Sequence, residues 1–192
     1  METNKLTYKE IMLEAIDATP PAAHIQQQST GEFSSTLINY MKQVENNNHR
    51  GYKNGKFYPY PSVEGGTDTI GYGHKIEGRG NNYSNGLTDK EAEKLLIHDL
   101  EIAKQVVYHD IKSMFKVQIP TLEKNKEEAL IDFAFNLGSL HKFPKFVRAV
   151  LVNDWKTAAK EYKRTATGKH GNKIDLGRNK IFFDIFIKPH LK

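Results

Sequence analysis

The residues whose types and spacing could do chemistry lie between Glu45 and His74. Glu45 falls at the C-terminal end of an amphipathic stretch in which Leu37, Ile38, Met41 and Val44 form one apolar stripe. A carboxyl group there faces the negative end of the helix dipole. That disfavours its ionised form and helps it keep a proton that a general acid could donate. Downstream, Thr69-Ile70-Gly71-Tyr72-Gly73-His74 reads as a short strand with Thr69, Gly71 and Gly73 on one face and Ile70, Tyr72 and His74 on the other. A strand face made of one threonine and two glycines is nearly bare. Glycine inside a strand marks a bulge or a close approach by a ligand or another backbone, so the bare face reads as the wall of a cleft. The same residues also fit a bulged edge strand, and Glu45 a solvated glutamate at a fraying helix end.

Elements that could hold these residues follow in order along the chain. Thr7-Tyr8-Lys9-Glu10 has the form of a capping box and predicts a short helix ending near Asp17, stopped by Thr19-Pro20-Pro21. Ala22 to Gly31, with three glutamines, reads as a linker. Ser34 or Ser35 can cap the helix that carries Glu45, and Asn46 to Gly55 leaves it as a loop. Phe57-Tyr58-Pro59-Tyr60 and Thr67 to Tyr72 predict a small antiparallel sheet, with Glu64-Gly65-Gly66 as its turn. Gly78 to Gly86 reads as loop. Thr88-Asp89-Lys90-Glu91 is a second capping box, opening a helix to about Tyr108 whose apolar residues cover more than one face, as expected of a helix buried between two lobes. Helices then follow from Pro120-Thr121 to Gly138, from Pro144 to about Val152, from Asp154 to Lys163 and from Gly177 to Lys188, which predicts an all-helical second lobe.

Three stretches carry a family resemblance. Glu45 at a helix end, a tyrosine-bearing hairpin and then Thr69-Ile70-Gly71-Tyr72-Gly73-His74 resemble the active-site signature of the phage-type lysozymes, the T-even bacteriophage lysozyme family of glycoside hydrolases. Gly86-Leu87-Thr88-Asp89-Lys90-Glu91-Ala92-Glu93-Lys94-Leu95 is similar to the start of that family's long interdomain helix. Ala129 to Gly138 and Trp155 to Ala159 resemble helices of its C-terminal lobe. These matches keep the family's order from about Ser34 to Lys192, and nothing before Ser34 matches.

The resemblance implies an α+β, mainly helical, two-lobed lysozyme-like fold with a small antiparallel sheet and a long interdomain helix. Residues 1–33 would be an N-terminal extension, 34–87 the small lobe, 88–108 the interdomain helix and 109–192 the helical lobe. It implies hydrolysis of the β-1,4 bond between N-acetylmuramic acid and N-acetylglucosamine in peptidoglycan, without a cofactor and by inversion, the protein acting as a monomer. Glu45 takes the place of the acid that protonates the leaving oxygen. The family's second carboxylate is an aspartate some six residues before the threonine, and here the pattern departs: Val63 or, with one residue inserted, Ser62 stands there. Asp68 adjoins Thr69 and points to the other strand face, which leaves Glu64 as the nearby carboxylate, with Thr69 and Ser62 able to position water. Glu64 fits an exposed turn residue equally. The histidine closing the family's motif pairs with an aspartate on the interdomain helix, and the matching pair here is His74 and Asp99.

Composition bounds these readings. With no cysteine, no disulfide, zinc-thiolate site or thiol nucleophile is available, and the other histidines show no metal-ligand spacing. A net charge of +5 favours an anionic partner, but Lys and Arg are spread along the chain with no RNA-binding aromatic motif, which argues against nucleic acid. Met1-Glu2-Thr3-Asn4 does not open a secretory signal, and no apolar run is long enough for stable membrane insertion. The expectation is accumulation in the host cytoplasm and action on the wall from the periplasm, as an endolysin released through a holin or as a virion-carried lysozyme docked through residues 1–33. Two other readings stay open: a non-catalytic wall-binding or virion module that kept the fold, favoured by the missing aspartate, and a lytic transglycosylase using Glu45 alone. Tyr52, Tyr58 or Tyr60 could stack on a sugar ring.

Overall fold

The computed structural model describes residues 32–62, 67–76, 83–167 and 173–191. The fold is mostly helical α+β with small antiparallel sheets. Its residues form two compact units that divide between Ala103 and Lys104. The helix expected over Thr7 to Asp17, the linker over Ala22 to Gly31 and the Glu64-Gly65-Gly66 turn lie outside the described residues.

The sheet-bearing unit begins with α1 (Ser35–Asn46). Ser34 is extended, and its hydroxyl accepts the Leu37 N–H at 3.1 Å, satisfying one of the donors that a helix start leaves unpaired. The helix buries Leu37, Tyr40 and Met41, while Ile38 and Val44 are only half-buried, so its inward stripe is rotated toward Tyr40. The next segment is a hairpin and not the loop that the sequence suggests: β1 (Tyr52–Lys53) pairs with β2 (Lys56–Phe57) across Asn54-Gly55. Both turn residues have positive φ, +52° and +77°, the geometry of a two-residue turn that Asn-Gly favours. Phe57 is fully buried, its ring packed against Tyr52 and Tyr72, and its N–H and C=O both bond to Leu87 at 2.8 Å.

A three-stranded antiparallel sheet follows, in the order β3 (Tyr60–Pro61), β4 (Asp68–Ile70), β5 (His74–Lys75). Thr69 to His74 is therefore not one alternating strand with a bare face. It is a hairpin, with Ile70 paired to His74 and Gly71, Tyr72 and Gly73 as its turn. Positive φ at Gly71 (+62°) and Gly73 (+91°) turns the chain back where alternation would have continued it.

α2 (Asp89–Phe115) opens with the expected capping box: Glu91 N–H donates to the Thr88 hydroxyl at 3.3 Å, and Thr88 N–H to the Glu91 carboxylate at 2.8 Å. It runs past Tyr108, its expected end, through the polar pair His109-Asp110. Asp110 is in fact buried, accepting the Leu140 N–H and the Ser139 hydroxyl at 2.8 Å each, and Ile111 continues the apolar stripe. Lys116, at φ +58°, follows its last turn.

In the helical unit α3 (Lys124–Leu137) starts later than Pro120; the residues before it are irregular, and Leu122 N–H donates to the Tyr108 hydroxyl at 3.1 Å. α4 (Pro144–Leu151) and α5 (Trp155–Glu161, capped by Asp154) lie as expected. The unit is not all-helical: β6 (Thr165–Thr167) and β7 (Lys173–Asp175) form an antiparallel hairpin. β-branched Thr165 and Thr167 favour strand, and Leu176 N–H to Arg164 O, 3.1 Å, continues the pairing. The last helical stretch, α6 (Arg178–Phe182), passes into a π-turn over Phe183–Ile187 and a 3₁₀ turn over Lys188–His190, where Pro189 lacks the donor that an α-helix needs. Phe133, Phe146 and Phe182 form the centre of the core. Arg164 is buried with its guanidinium 4.2 Å from the Phe133 ring centroid, bonded to fully buried Asp132 at 2.6 Å; Arg178 reaches the other Asp132 oxygen at 2.5 Å.

Asp110 gives this unit a pH dependence. Burial pushes its carboxyl up, but the Leu140 N–H, the Ser139 hydroxyl, His109 and the charge of His141 outweigh burial and hold it below the usual carboxylate range. A group depressed in this way stabilises the fold above its unfolded pKa, and that contribution is lost as the pH falls through the folded value. Asp110→Ala is expected to be about 1–3 kcal/mol less stable than wild type at neutral pH, because it strands the Leu140 N–H. The gap should close below about pH 4, as urea melts at neutral and acid pH would show.

Candidate active site

Glu45 sits in the last turn of α1, half-buried, with its side chain against the β4–β5 turn. A Cβ built on Gly73 would come 3.5 Å from Glu45 Oε2 and 3.8 Å from Glu45 Cβ. The other glycine of the turn packs the opposite way: a Cβ on Gly71 would stand 3.2 Å from the Ala92 Cβ of α2. The bare backbone that the sequence signalled is therefore the contact surface of a turn, which touches the candidate acid on one side and a helix on the other.

Asn46, next to Glu45, is buried at 4% exposure. Its Nδ2 donates to Gly71 O at 2.8 Å and to Arg50 O at 3.0 Å, and its Oδ1 accepts the Arg50 N–H at 2.8 Å. The Tyr60 hydroxyl lies 3.5 Å from the same Gly71 oxygen. Sequence reasoning missed Asn46, since a run of three asparagines after a helix signals only a turn; Asn47 and Asn48 are indeed exposed.

Thr69 lies in β4, the middle strand, paired with Tyr60 on one side and Lys75 on the other. It is 6% exposed, and its hydroxyl donates to Tyr60 O at 3.3 Å. With its proton engaged, the oxygen keeps lone pairs that can accept from a water. Asp68, one residue earlier, is exposed, on the other face of the strand. Ser62 follows β3, its N–H bonded to Thr67 O at 3.2 Å. Glu64 lies outside the described residues. The structure thus places Glu45 beside the Gly73 end of the hairpin that carries Thr69.

His74 and Asp99 meet: His74 Nδ1 lies 2.9 and 3.0 Å from the two Asp99 carboxylate oxygens, so its Nδ1–H donates there and ties β5 to α2. Both side chains are about four-fifths covered, at 21% and 18% exposure. Tyr52 is more than a third exposed, its hydroxyl donating to Asp89 at 3.0 Å. Together with Gly51, Lys53, Asn54 and Tyr58 it lines an open hollow of about 590 Å³ on the β1–β2 hairpin. Among the described residues no His, Asp and Glu side chains gather as metal ligands would.

A helix with a glutamate in its last turn, a glycine-turned hairpin against it and a long helix behind that hairpin define a lysozyme-like fold. Residues 34–177 match the phage lysozyme family, and the chain belongs to it. Two solved structures share the fold. The muramidase domain of SpmX from Asticaccaulis excentricus is 21% identical with a TM-score of 0.57, over 84% of this chain and 98% of that one. The endolysin from Escherichia coli O157:H7 phage FAHEc1 is 20% identical with a TM-score of 0.57, over 86% of this chain and 97% of that one. No curated protein matches the sequence significantly. Membership of the family supports a peptidoglycan-lytic, glycoside hydrolase-like enzyme.

The His74–Asp99 pair predicts a stability effect separable from chemistry. His74→Ala leaves the Asp99 carboxylate without its donor, which costs about 1–2 kcal/mol for a partly exposed charge-assisted bond. The melting temperature should fall by roughly 2–8 °C, on the scale of about 2–4 °C per kcal/mol for a chain of this size, while much of the activity per folded molecule remains. An unchanged melting temperature with abolished activity would instead give His74 a chemical role.

Proposed function

We propose that the protein is a muramidase that hydrolyses the β-1,4 bond between N-acetylmuramic acid and N-acetylglucosamine in peptidoglycan, for lysis or penetration of the bacterial wall by a phage. The observation that carries this reading is the half-buried Glu45 carboxylate at the end of α1, against the Gly73 turn, in a chain of the phage lysozyme family. Glu45 in its protonated form gives its proton to the glycosidic oxygen as the bond to the anomeric carbon breaks, so the leaving sugar departs as a neutral alcohol. A water adds to the oxocarbenium-like centre, its proton passing to a base. Thr69 orients that water through the lone pairs of its hydroxyl, and Glu64 is the base. The same reading includes a role for residues 1–33 in docking to the virion or another delivery partner, and action as a monomer.

Glu45→Gln removes the transferable proton from a near-isosteric side chain. Lysis of purified peptidoglycan should fall by more than about 100-fold with little change in melting temperature, since general acid catalysis is worth about 10² to 10⁴-fold. Residual lysis above that level would remove Glu45 from the acid role. Glu64 and Asp68 are separated the same way: Glu64→Gln should lose activity by about 10² or more and Asp68→Asn should keep it, the reverse result moving the base to Asp68.

A second reading is favoured by one feature, the Val63 or Ser62 that stands where the family places its aspartate: a wall-binding module without catalysis. Analysis of the products decides. New reducing ends support the hydrolase, anhydro ends a transglycosylase, and binding without cleavage the module.

A further inference from the structure

We infer that Asn46 is a positioning residue for Glu45, locking the last turn of α1 to the Gly71–Gly73 turn and so fixing where the carboxyl group stands. The inference rests on the acid role proposed for Glu45. A helix C-terminus is where the chain is freest to fray, because its last carbonyls have no partner within the helix. Here the final residue is instead among the most buried polar side chains of its unit, at 4% exposure. It uses both ends of its amide on backbone alone: two donations, to Gly71 O and Arg50 O, and one acceptance, from Arg50 N–H.

Three strands of backbone thereby meet at one side chain: the helix end, the segment at Arg50 and the turn. The turn is the piece that touches Glu45, since Gly73 faces its Oε2 and Cβ. The amide thus fixes the turn, and Gly73 of that turn lies against the acid. Of short side chains only asparagine brings two donors and an acceptor to this spot. Aspartate keeps the acceptor and loses both donors, and alanine loses all three. General acid catalysis needs the proton within hydrogen-bond reach of the leaving oxygen, and a misplacement of about 1 Å can cost about 10²-fold.

The test compares Asn46→Ala and Asn46→Asp with Thr88→Ala, which removes the capping box of α2 in the same unit, where the Thr88 hydroxyl bonds Glu91. Steady-state rates on soluble glycan strands from peptidoglycan, pH profiles and melting temperatures are measured for all three. The expected result is that kcat falls about 10- to 100-fold in both Asn46 variants with KM within about threefold, and that the alkaline limb of the pH profile moves. Thr88→Ala should lose melting temperature and keep kcat per folded molecule. If the Asn46 variants lose no more kcat per folded molecule than Thr88→Ala, or raise only KM, Asn46 serves the fold alone. Failure of both to fold also overturns the positioning role. Glu45→Gln run alongside separates the two ideas, because activity retained there removes the acid reading whatever Asn46 does.

Discussion

The sheet-bearing unit depends on how closely one turn can be approached. Gly71, Tyr72 and Gly73 reverse the chain between β4 and β5 in a space bounded by Glu45 of α1 and Ala92 of α2. Two conditions meet there. The backbone needs positive φ at both glycines, costly for any residue with a Cβ, and at Gly71 a Cβ would press on Ala92 at 3.2 Å. Tyr72 between them is buried, its ring against Phe57 and under the Lys42 ammonium, so the turn is anchored in the core at its middle residue. The Asn46 amide holds the Gly71 carbonyl, and His74–Asp99 holds the outgoing strand. A hairpin with strands of two and three residues is marginal alone. These contacts give the turn that faces Glu45 a fixed place.

The helical unit solves a different problem, since its core contains charge. Asp132 has no exposure and accepts from two arginines, one of them sandwiched by Phe133 and Phe182. Among the described residues the Arg164 Nε and Nη2 have no hydrogen-bond partner, and aromatic faces lie against the guanidinium instead. Such an arrangement adds little net stability over apolar packing, because the desolvation of each charge offsets the attraction. What it contributes is definition. Arg164 precedes β6 and Arg178 opens α6, and Asn179 bonds both the N–H and the C=O of Arg164, so the hairpin between them is fixed at its base.

Much of this was legible in the sequence where a local pattern and the tertiary environment agree. Ser34 and the Thr88–Glu91 box start their helices because capping is decided within four residues, and Pro144 and Asp154 mark helix starts for the same reason. The pattern misled where the environment inverts it. Asp110 looks like the polar end of a helix until Leu140 and Ser139, 30 and 29 residues away, supply its hydrogen bonds. The hexapeptide from Thr69 reads as a strand because alternation is a backbone-blind signal, while the two glycines take the left-handed region that ends a strand. Asn54-Gly55 was a readable hairpin signal that the polar crowding around it concealed. Asn46 was not readable, since nothing distinguishes it from its two neighbours except partners supplied from Arg50 and Gly71.

The same contrast explains why the site was easier to locate than to complete. An acid role needs one carboxyl in a sheltered place, and Glu45 has it through the local facts of a helix end and a glycine turn. A base needs a second carboxyl at a set separation, roughly 6.5–9.5 Å for inversion and 5–5.5 Å for retention, which no local pattern encodes. Strand geometry narrows the choice: Thr69 is buried in β4 and Asp68, its neighbour, is exposed on the opposite face. A threonine whose proton is spent on Tyr60 O can hold a water but cannot deprotonate it, because its own oxygen is far less basic than a carboxylate. Thr69 can therefore orient a water and no more, which is why the proposed mechanism needs a carboxylate as its base and takes Glu64, the acid that the sequence carries between Ser62 and Thr67.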